Sequence, residues 1–364
     1  MRIFFSAGEA SGDAYAGALA IAIQQMNPNA VFEGVGGKAL LEAGGNLIAD
    51  SRRWGAVGIL ESVKVSPIII AGYLRTRSAL RKDKPGVFVP IDFGFLNIKL
   101  AKLAKQLGWK VLYFVPPGSW RREKQGADLP IISDEIVTPF SWSRDILDRM
   151  GANVHYFGHP ILSMIPKNSV VERSTAKVVI MPGSRMHEIT ANLDVIIQSA
   201  KLAGITNLEL VIAPTLTESV LDQILAKCDL TGMTLTTTRD RYQALREGRI
   251  AILCSGTATL EAALCGCPSI IMYRGSKMAE LEYNIRKPKF EFIGLPNLIL
   301  RRAVMPELIL NDANPDRIAA LARDLMPDGP IRQAQLDAFA ELRDSLMPDD
   351  CIQQSAERIL ALGT

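Results

Sequence analysis

Polar residues repeatedly stand directly after apolar, strand-length runs in this chain, which is where a parallel α/β sheet places its chemistry. The sharpest case is Cys254-Ser255-Gly256-Thr257-Ala258-Thr259-Leu260-Glu261, where an apolar run, a small polar turn and a Glu-bearing helical segment follow without a gap. A helix starting at Gly256 and Thr257 offers free N–H groups and a positive dipole end to a diphosphate, while Glu261, about one turn in, is placed to accept hydrogen bonds from ribose hydroxyls. Helix capping by Ser255 or Thr257 with a nearby Glu explains part of the same pattern. Met181-Pro182-Gly183-Ser184-Arg185 also joins an apolar run to a helix. It combines backbone donors and Ser184 with a guanidinium whose fork suits two phosphate oxygens at once, the plain alternative being a surface arginine on a turn.

The first half of the chain has its own candidates. Val87-Phe88-Val89-Pro90-Ile91-Asp92 is apolar until its last residue, so Asp92 ends a strand. A carboxylate there is a candidate general base for an acceptor hydroxyl, or a cap for the next helix. Ala7-Gly8-Glu9-Ala10-Ser11-Gly12-Asp13 turns from the first strand into an Ala-rich helix. Its glycines permit a tight turn and its helix start suits an anion or sugar near Ser11, although a turn capped by Ser11 or Asp13 reads equally well. His159, in Tyr156-Phe157-Gly158-His159-Pro160, fits a sugar ligand or a hydrogen-bonded structural histidine.

Elements that could position these residues follow from periodicity. Apolar runs alternate with amphipathic, helix-length segments, the mark of repeated βα units. Strands are expected at Arg2–Phe5, Val31–Val35, Val87–Ile91, Val111–Phe114, Glu135–Val137 and Val154–Phe157, then at Lys177–Met181, Glu209–Ile212, Met233–Thr236, Ile250–Cys254 and Ser269–Met272. Helices are expected after Pro306, with Arg332–Leu346 and Gln353–Leu362 last. The polar, proline-punctuated stretch through Pro166-Lys167-Asn168-Ser169 reads as a linker. Domains at 1–160 and 170–340 result, with the terminal helix near 340–364 able to return to the first. The expected fold class is α/β, two Rossmann-like domains with parallel sheets facing across a cleft.

Composition agrees. The chain has 364 residues, 48% hydrophobic and 22% charged, with a net charge of +3 that is too mild to argue for nucleic acid. No run approaches the ~20 apolar residues needed to span a bilayer. The odd count of five cysteines lacks paired metal-ligand spacing and suggests a reduced, cytoplasmic protein without a metal. Basic residues gather at Arg75, Arg77, Arg81, Lys82 and Lys84, and at Arg121, Arg122 and Lys124, either as solvated faces or as contacts to an anionic ligand or lipid surface.

Taken in order, Ala-Gly-Glu-Ala-Ser-Gly-Asp, Ile91-Asp92 with Asn97, Phe157-Gly158-His159-Pro160, Pro182-Gly183-Ser184-Arg185, Ser255 through Glu261 and Leu295-Pro296-Asn297 resemble the lipid-A-disaccharide synthase family from the first strand to about Leu308. The resemblance implies a GT-B glycosyltransferase fold and an inverting transfer, without cofactor or metal, of 2,3-diacylglucosamine from its UDP donor to 2,3-diacylglucosamine 1-phosphate. Asp92 would be the base, Arg185 and Ser184 would meet donor phosphate, and Ser255, Gly256, Thr257 and Glu261 would hold UDP. Ser11, Asn97, His159, Arg121 and Arg122 are the candidates on the acceptor or sugar side. The partners implied are a UDP-linked acylated sugar, an acylated sugar phosphate and the inner face of the bacterial inner membrane, met peripherally through about residues 54–77; a homodimer is compatible. In that region Val57, Ile59, Leu60, Val63, Ile68, Ile69 and Ile70 lie beside Arg75 and Arg77, a pattern a buried amphipathic helix pair also explains.

Two departures fall on the acceptor side. A second carboxylate of the family's pattern is Phe95 here, and its Tyr-Val-Ser-Pro segment is replaced by Tyr113-Phe114-Val115-Pro116-Pro117-Gly118-Ser119-Trp120-Arg121-Arg122. A diverged GT-B enzyme using a UDP-sugar on another acceptor, a UDP-sugar 2-epimerase and a non-catalytic binding protein are the competing readings. The apolar and basic stretch at 54–77 argues against the epimerase, and Asp92, Arg185 and Glu261 together argue against a bare binding module.

Overall fold

The computed structural model describes residues 1–52, 54, 59–82, 84–117, 127–166, 172–184, 186–213, 216–274 and 291–364, with side chains at all of these except 59–65, 95 and 187. The chain forms two compact α/β units, residues 1–164 with 346–364, and residues 165–345.

The first unit is built on a parallel sheet of order β3-β2-β1-β4-β5-β6-β7. Its strands are β1 (Arg2–Ala7), β2 (Val31–Gly36), β3 (Asn46–Asp50), β4 (Val87–Ile91), β5 (Lys110–Phe114), β6 (Glu135–Val137) and β7 (Val154–His155). Strands β1, β4 and β5 are buried almost end to end, because helices cover both faces of a parallel sheet. Phe4, Phe88, Trp109 and Tyr113 form the center of that core, with the Phe4 and Trp109 rings edge to face at 6.0 Å. The helix Ala10–Met26 carries Asp13 inward, where its carboxylate accepts the backbone N–H groups of Gly37 (2.6 Å), Ala39 (2.9 Å) and Leu40 (3.2 Å). Asp13 therefore caps the neighboring helix Lys38–Glu42, not its own as the local pattern suggested. The last helix, Cys351–Leu362, packs on Ala10–Met26, and its Arg358 pairs with the buried Glu135 of β6.

The second unit has a parallel sheet of order β10-β9-β8-β11-β12-β13. Its strands are β8 (Val178–Met181), β9 (Asn207–Val211), β10 (Thr234–Thr238), β11 (Ile250–Cys254), β12 (Ser269–Tyr273) and β13 (Glu307–Ile309). The helices Met186–Leu202 and Pro315–Leu325 cover one face with Leu193, Ile196 and Ile318 against Val178, Ile180, Ile252 and Ile270. Periodicity missed β3, whose ends are polar, and β13, which is three residues long. After Pro306 the chain thus makes a strand and a short 3-10 turn, and helix resumes only at Pro315.

In both sheets the strand order reverses once: between β1 and β4 in the first, and between β8 and β11 in the second. Successive connections leave such a point on opposite faces, which opens a crevice at the carboxyl ends of its two strands.

Candidate functional site

In the first unit, β1 and β4 run in register to Ala7 and Ile91, so the turn Gly8–Glu9 and the residue Asp92 emerge side by side at the reversal point. Asp92 and Phe93 both adopt left-handed backbone conformations, with φ of 44° and 50°, and Val115 beyond the adjacent β5 has φ of 51°. Such conformations are costly for residues with a Cβ, above all for a β-branched one, and persist where surrounding structure enforces them. Here the enforcement is visible. Phe93 packs among Val35, Ala49, Trp54 and Ile69, and its ring fills the space where any Cβ on Gly8 would come within 2.2 Å of it. Gly8 is there to admit that ring rather than to turn the chain.

Asn97, one turn into the helix Gly94–Gln106, is fully buried and ties the turn together. Its amide donates to the carbonyls of Ser6 (2.8 Å), Ile91 (3.0 Å) and Asp92 (3.0 Å), and its oxygen accepts the Ser6 hydroxyl at 2.6 Å. The Tyr113 hydroxyl donates to the Asp92 carbonyl as well, at 3.1 Å. The Asp92 carboxyl is pushed up to about 6, first by burial and then by the nearby Glu9 carboxylate, while a bond from the Phe93 backbone opposes the shift.

Ser11 lies in the first turn of Ala10–Met26, partly exposed. His159 is buried; its Nδ1 accepts the Ile161 N–H at 3.2 Å, its own N–H donates to Leu346 at 3.0 Å, and its ring lies against Phe140. Burial lowers its pKa to about 3, so it is neutral at physiological pH. Arg121, Arg122 and the Phe95 side chain lie outside the described residues, as do Val57 and the side chains of Ile59, Leu60 and Val63.

In the second unit, β8 and β11 are in register to Met181 and Leu253, which brings the loop Pro182–Ser184 beside the loop Ser255–Gly256. Arg185 lies outside the described residues. The first loop is held from the following helix: Glu188 accepts the Ser184 N–H at 3.1 Å, and Asn192 donates to the Pro182 carbonyl at 2.7 Å. In the second loop Gly256 takes φ 142° and ψ −162°, a region open essentially to glycine alone, and no atom crowds the place of a Cβ. The requirement for glycine is thus conformational, set by the entry into the helix Thr257–Leu264.

A buried network braces that entry. The Ser255 hydroxyl donates to the Ile293 carbonyl at 3.0 Å, while the Glu307 carboxylate of β13 accepts the N–H groups of Ile293 (2.8 Å) and Gly294 (2.9 Å). Asn297 donates to Glu307 at 2.7 Å and to the Met305 carbonyl at 2.8 Å, and accepts the N–H groups of Val304 and Met305. Glu261 is 5% exposed; its Oε1 meets Arg241 Nη2 at 3.1 Å and the Tyr242 hydroxyl at 3.3 Å.

Among known proteins, the family model described as lipid-A-disaccharide synthetase matches residues 3–357. The chain belongs to the lipid-A-disaccharide synthetase family. A lipid-A-disaccharide synthase from Trichlorobacter lovleyi is 32% identical over 335 residues, covering 87% of this chain and 86% of the relative. Among solved structures, the kitacinnamycin glycotransferase superposes with a TM-score of 0.62 at 14% identity, over 100% of this chain and 98% of its own. A UDP-GlcNAc 2-epimerase from Methanocaldococcus jannaschii reaches 0.57 at 14% identity over 100% of both chains, so the two-unit GT-B fold is shared across reaction types. Family membership makes this member a glycosyltransferase.

Sequence reasoning passed over Arg241, Tyr242, Asn192 and Glu307. Each meets its site residue through tertiary packing, which the local pattern around it does not signal.

Proposed function

We propose that this family member joins two acylated glucosamines, transferring 2,3-diacylglucosamine from UDP to the 6-hydroxyl of 2,3-diacylglucosamine 1-phosphate in lipid A synthesis. The observation that carries the reading is the coincidence of motif and topology. The Asp92 turn and the Ser255–Glu261 segment each sit at the one place where the strand order of their sheet reverses. The acceptor oxygen attacks the anomeric carbon of the donor, its proton passes to the Asp92 carboxylate, and the bond to UDP breaks from the opposite side, inverting the center. The leaving diphosphate takes its negative charge to the N-terminus of the helix Thr257–Leu264 and to Arg185, with Ser184 alongside. Glu261 accepts ribose hydroxyls.

The test is mass spectrometry after incubation with the UDP-diacylglucosamine donor and the diacylglucosamine phosphate acceptor. A disaccharide phosphate and UDP in equal amounts are expected. Donor bound but never transferred to this acceptor would point to a different one, as the departures at Phe95 and after Tyr113 would then explain.

Acylated substrates also require access to lipid. Along the helix Ile59–Lys82, Gly72, Thr76 and Leu80 face inward, whereas Ile68, Ile70 and Leu74 are exposed and lead into Arg75, Arg81 and Lys82. No described helix is long and apolar enough to cross a membrane. We read this face as resting on the inner-membrane surface, apolar side chains in the interface and basic ones on anionic headgroups. Co-sedimentation with vesicles containing anionic lipid should fall several-fold in an Ile70→Ser/Leu74→Ser variant; unchanged sedimentation would move the contact elsewhere.

A further inference from the structure

The Glu261 carboxylate is held in an asymmetric way. Among the described residues both of its partners, Arg241 and Tyr242, use the same oxygen, Oε1. These partners are fixed in turn. Arg241 opens the helix Arg241–Glu247, whose start is capped by Asp240 accepting the Gln243 N–H at 3.0 Å. Its guanidinium lies over the Tyr242 ring, 4.9 Å from the centroid, and donates to the Tyr242 hydroxyl at 3.3 Å. The result is a triangle of Arg, Tyr and Glu that fixes the rotamer of a buried carboxylate and leaves Oε2 without a partner among the described residues.

We propose that Arg241 and Tyr242 are positioning residues for the sugar nucleotide, holding Glu261 by Oε1 so that Oε2 accepts the ribose hydroxyls. The proposal rests on the assignment of Glu261 to the ribose made above. A carboxylate that is 5% exposed and alone would favor its protonated form, which accepts hydrogen bonds poorly. Burial does push the Glu261 carboxyl up, and the Arg241 charge opposes that shift. A guanidinium stacked on a ring supplies both charge and orientation, which a free lysine ammonium supplies only in part.

Calorimetry with UDP and with 2′,3′-dideoxy-UDP separates positioning from mere structural support. A structural ion pair affects both ligands alike, whereas a positioning pair acts only where the hydroxyls are present. The wild type should prefer UDP by about 10-fold or more, the scale of a hydrogen bond to a charged group. In Arg241→Ala and in Arg241→Met that preference should shrink to within about threefold, with dideoxy-UDP affinity little changed; Arg241→Lys should restore part of it and Tyr242→Phe should lose less. Thermal melts of each variant verify folding, and the methionine variant keeps the stem packed if alanine does not fold. Folded Arg241 variants with the wild-type preference overturn the proposal while Glu261 keeps its role. A wild type without preference, or a Glu261→Gln variant that keeps it, instead removes Glu261 from the ribose, and the proposal falls with it.

Discussion

Asp92→Asn is expected to cut turnover by at least the roughly 10²-fold typical of a general base, with UDP affinity unchanged. Asparagine keeps the shape, tolerates the left-handed backbone at this position better than most residues, and cannot take a proton. The UDP-side residues belong to the other unit, so calorimetry with UDP is the internal control. Retained turnover would assign Asp92 to the turn and not to the chemistry. A carboxyl pushed up to about 6 also gives the wild-type rate a limb that falls as pH drops below about 6, and this limb should vanish from the residual rate of the variant. The sign for stability is opposite to that of a typical paired carboxylate. The folded pKa lies above the unfolded value, so the proton is held more tightly in the fold; the stabilization is full below about 4 and is lost as pH rises through about 6. The asparagine variant should therefore be more stable than the wild type at pH 7 and gain little at pH 4, which urea titrations at the two pH values measure.

Asn297→Ala is expected to cost about 3–4 kcal/mol of stability. The side chain is fully buried and uses every group it has: two backbone N–H groups donate to its oxygen, and its amide serves the Met305 carbonyl and the Glu307 carboxylate. Truncation leaves those partners in a dry site with no replacement. Because Glu307 in turn holds the backbone at Ile293 and Gly294 against Ser255, UDP affinity should fall as well. Asn297→Asp, nearly the same shape, should be at least as harmful, since it removes the two donors and sets a second carboxylate against Glu307. Urea denaturation of both variants tests the argument, and a loss below about 1 kcal/mol would show that water repairs the network.

The central strands β1, β4, β5, β8, β11 and β12 were legible because both faces of each are covered, which writes them as nearly unbroken apolar runs. Ser255 through Glu261 was legible for a related reason: strand, turn and helix are contiguous, and the Gly256 conformation is local. What escaped depends on residues distant in sequence. Asp13 looks like a cap for its own helix and serves one that starts at Lys38. Glu307 sits on a strand too short for any period to register, and Arg241 reaches Glu261 only because two helices come together. Asn97 and His159 illustrate a different limit, since a polar residue near a strand end reads alike whether it faces a ligand or the interior; both are buried and bonded within the fold.

The helix Cys351–Leu362 closes the first unit although the whole second unit is translated before it. On the ribosome the partner face of Ala10–Met26 must wait, with Glu135 lacking Arg358, while residues 165–345 are made. Vectorial synthesis thus presents the whole second unit first and leaves a face of the first uncovered until Cys351–Leu362 emerges.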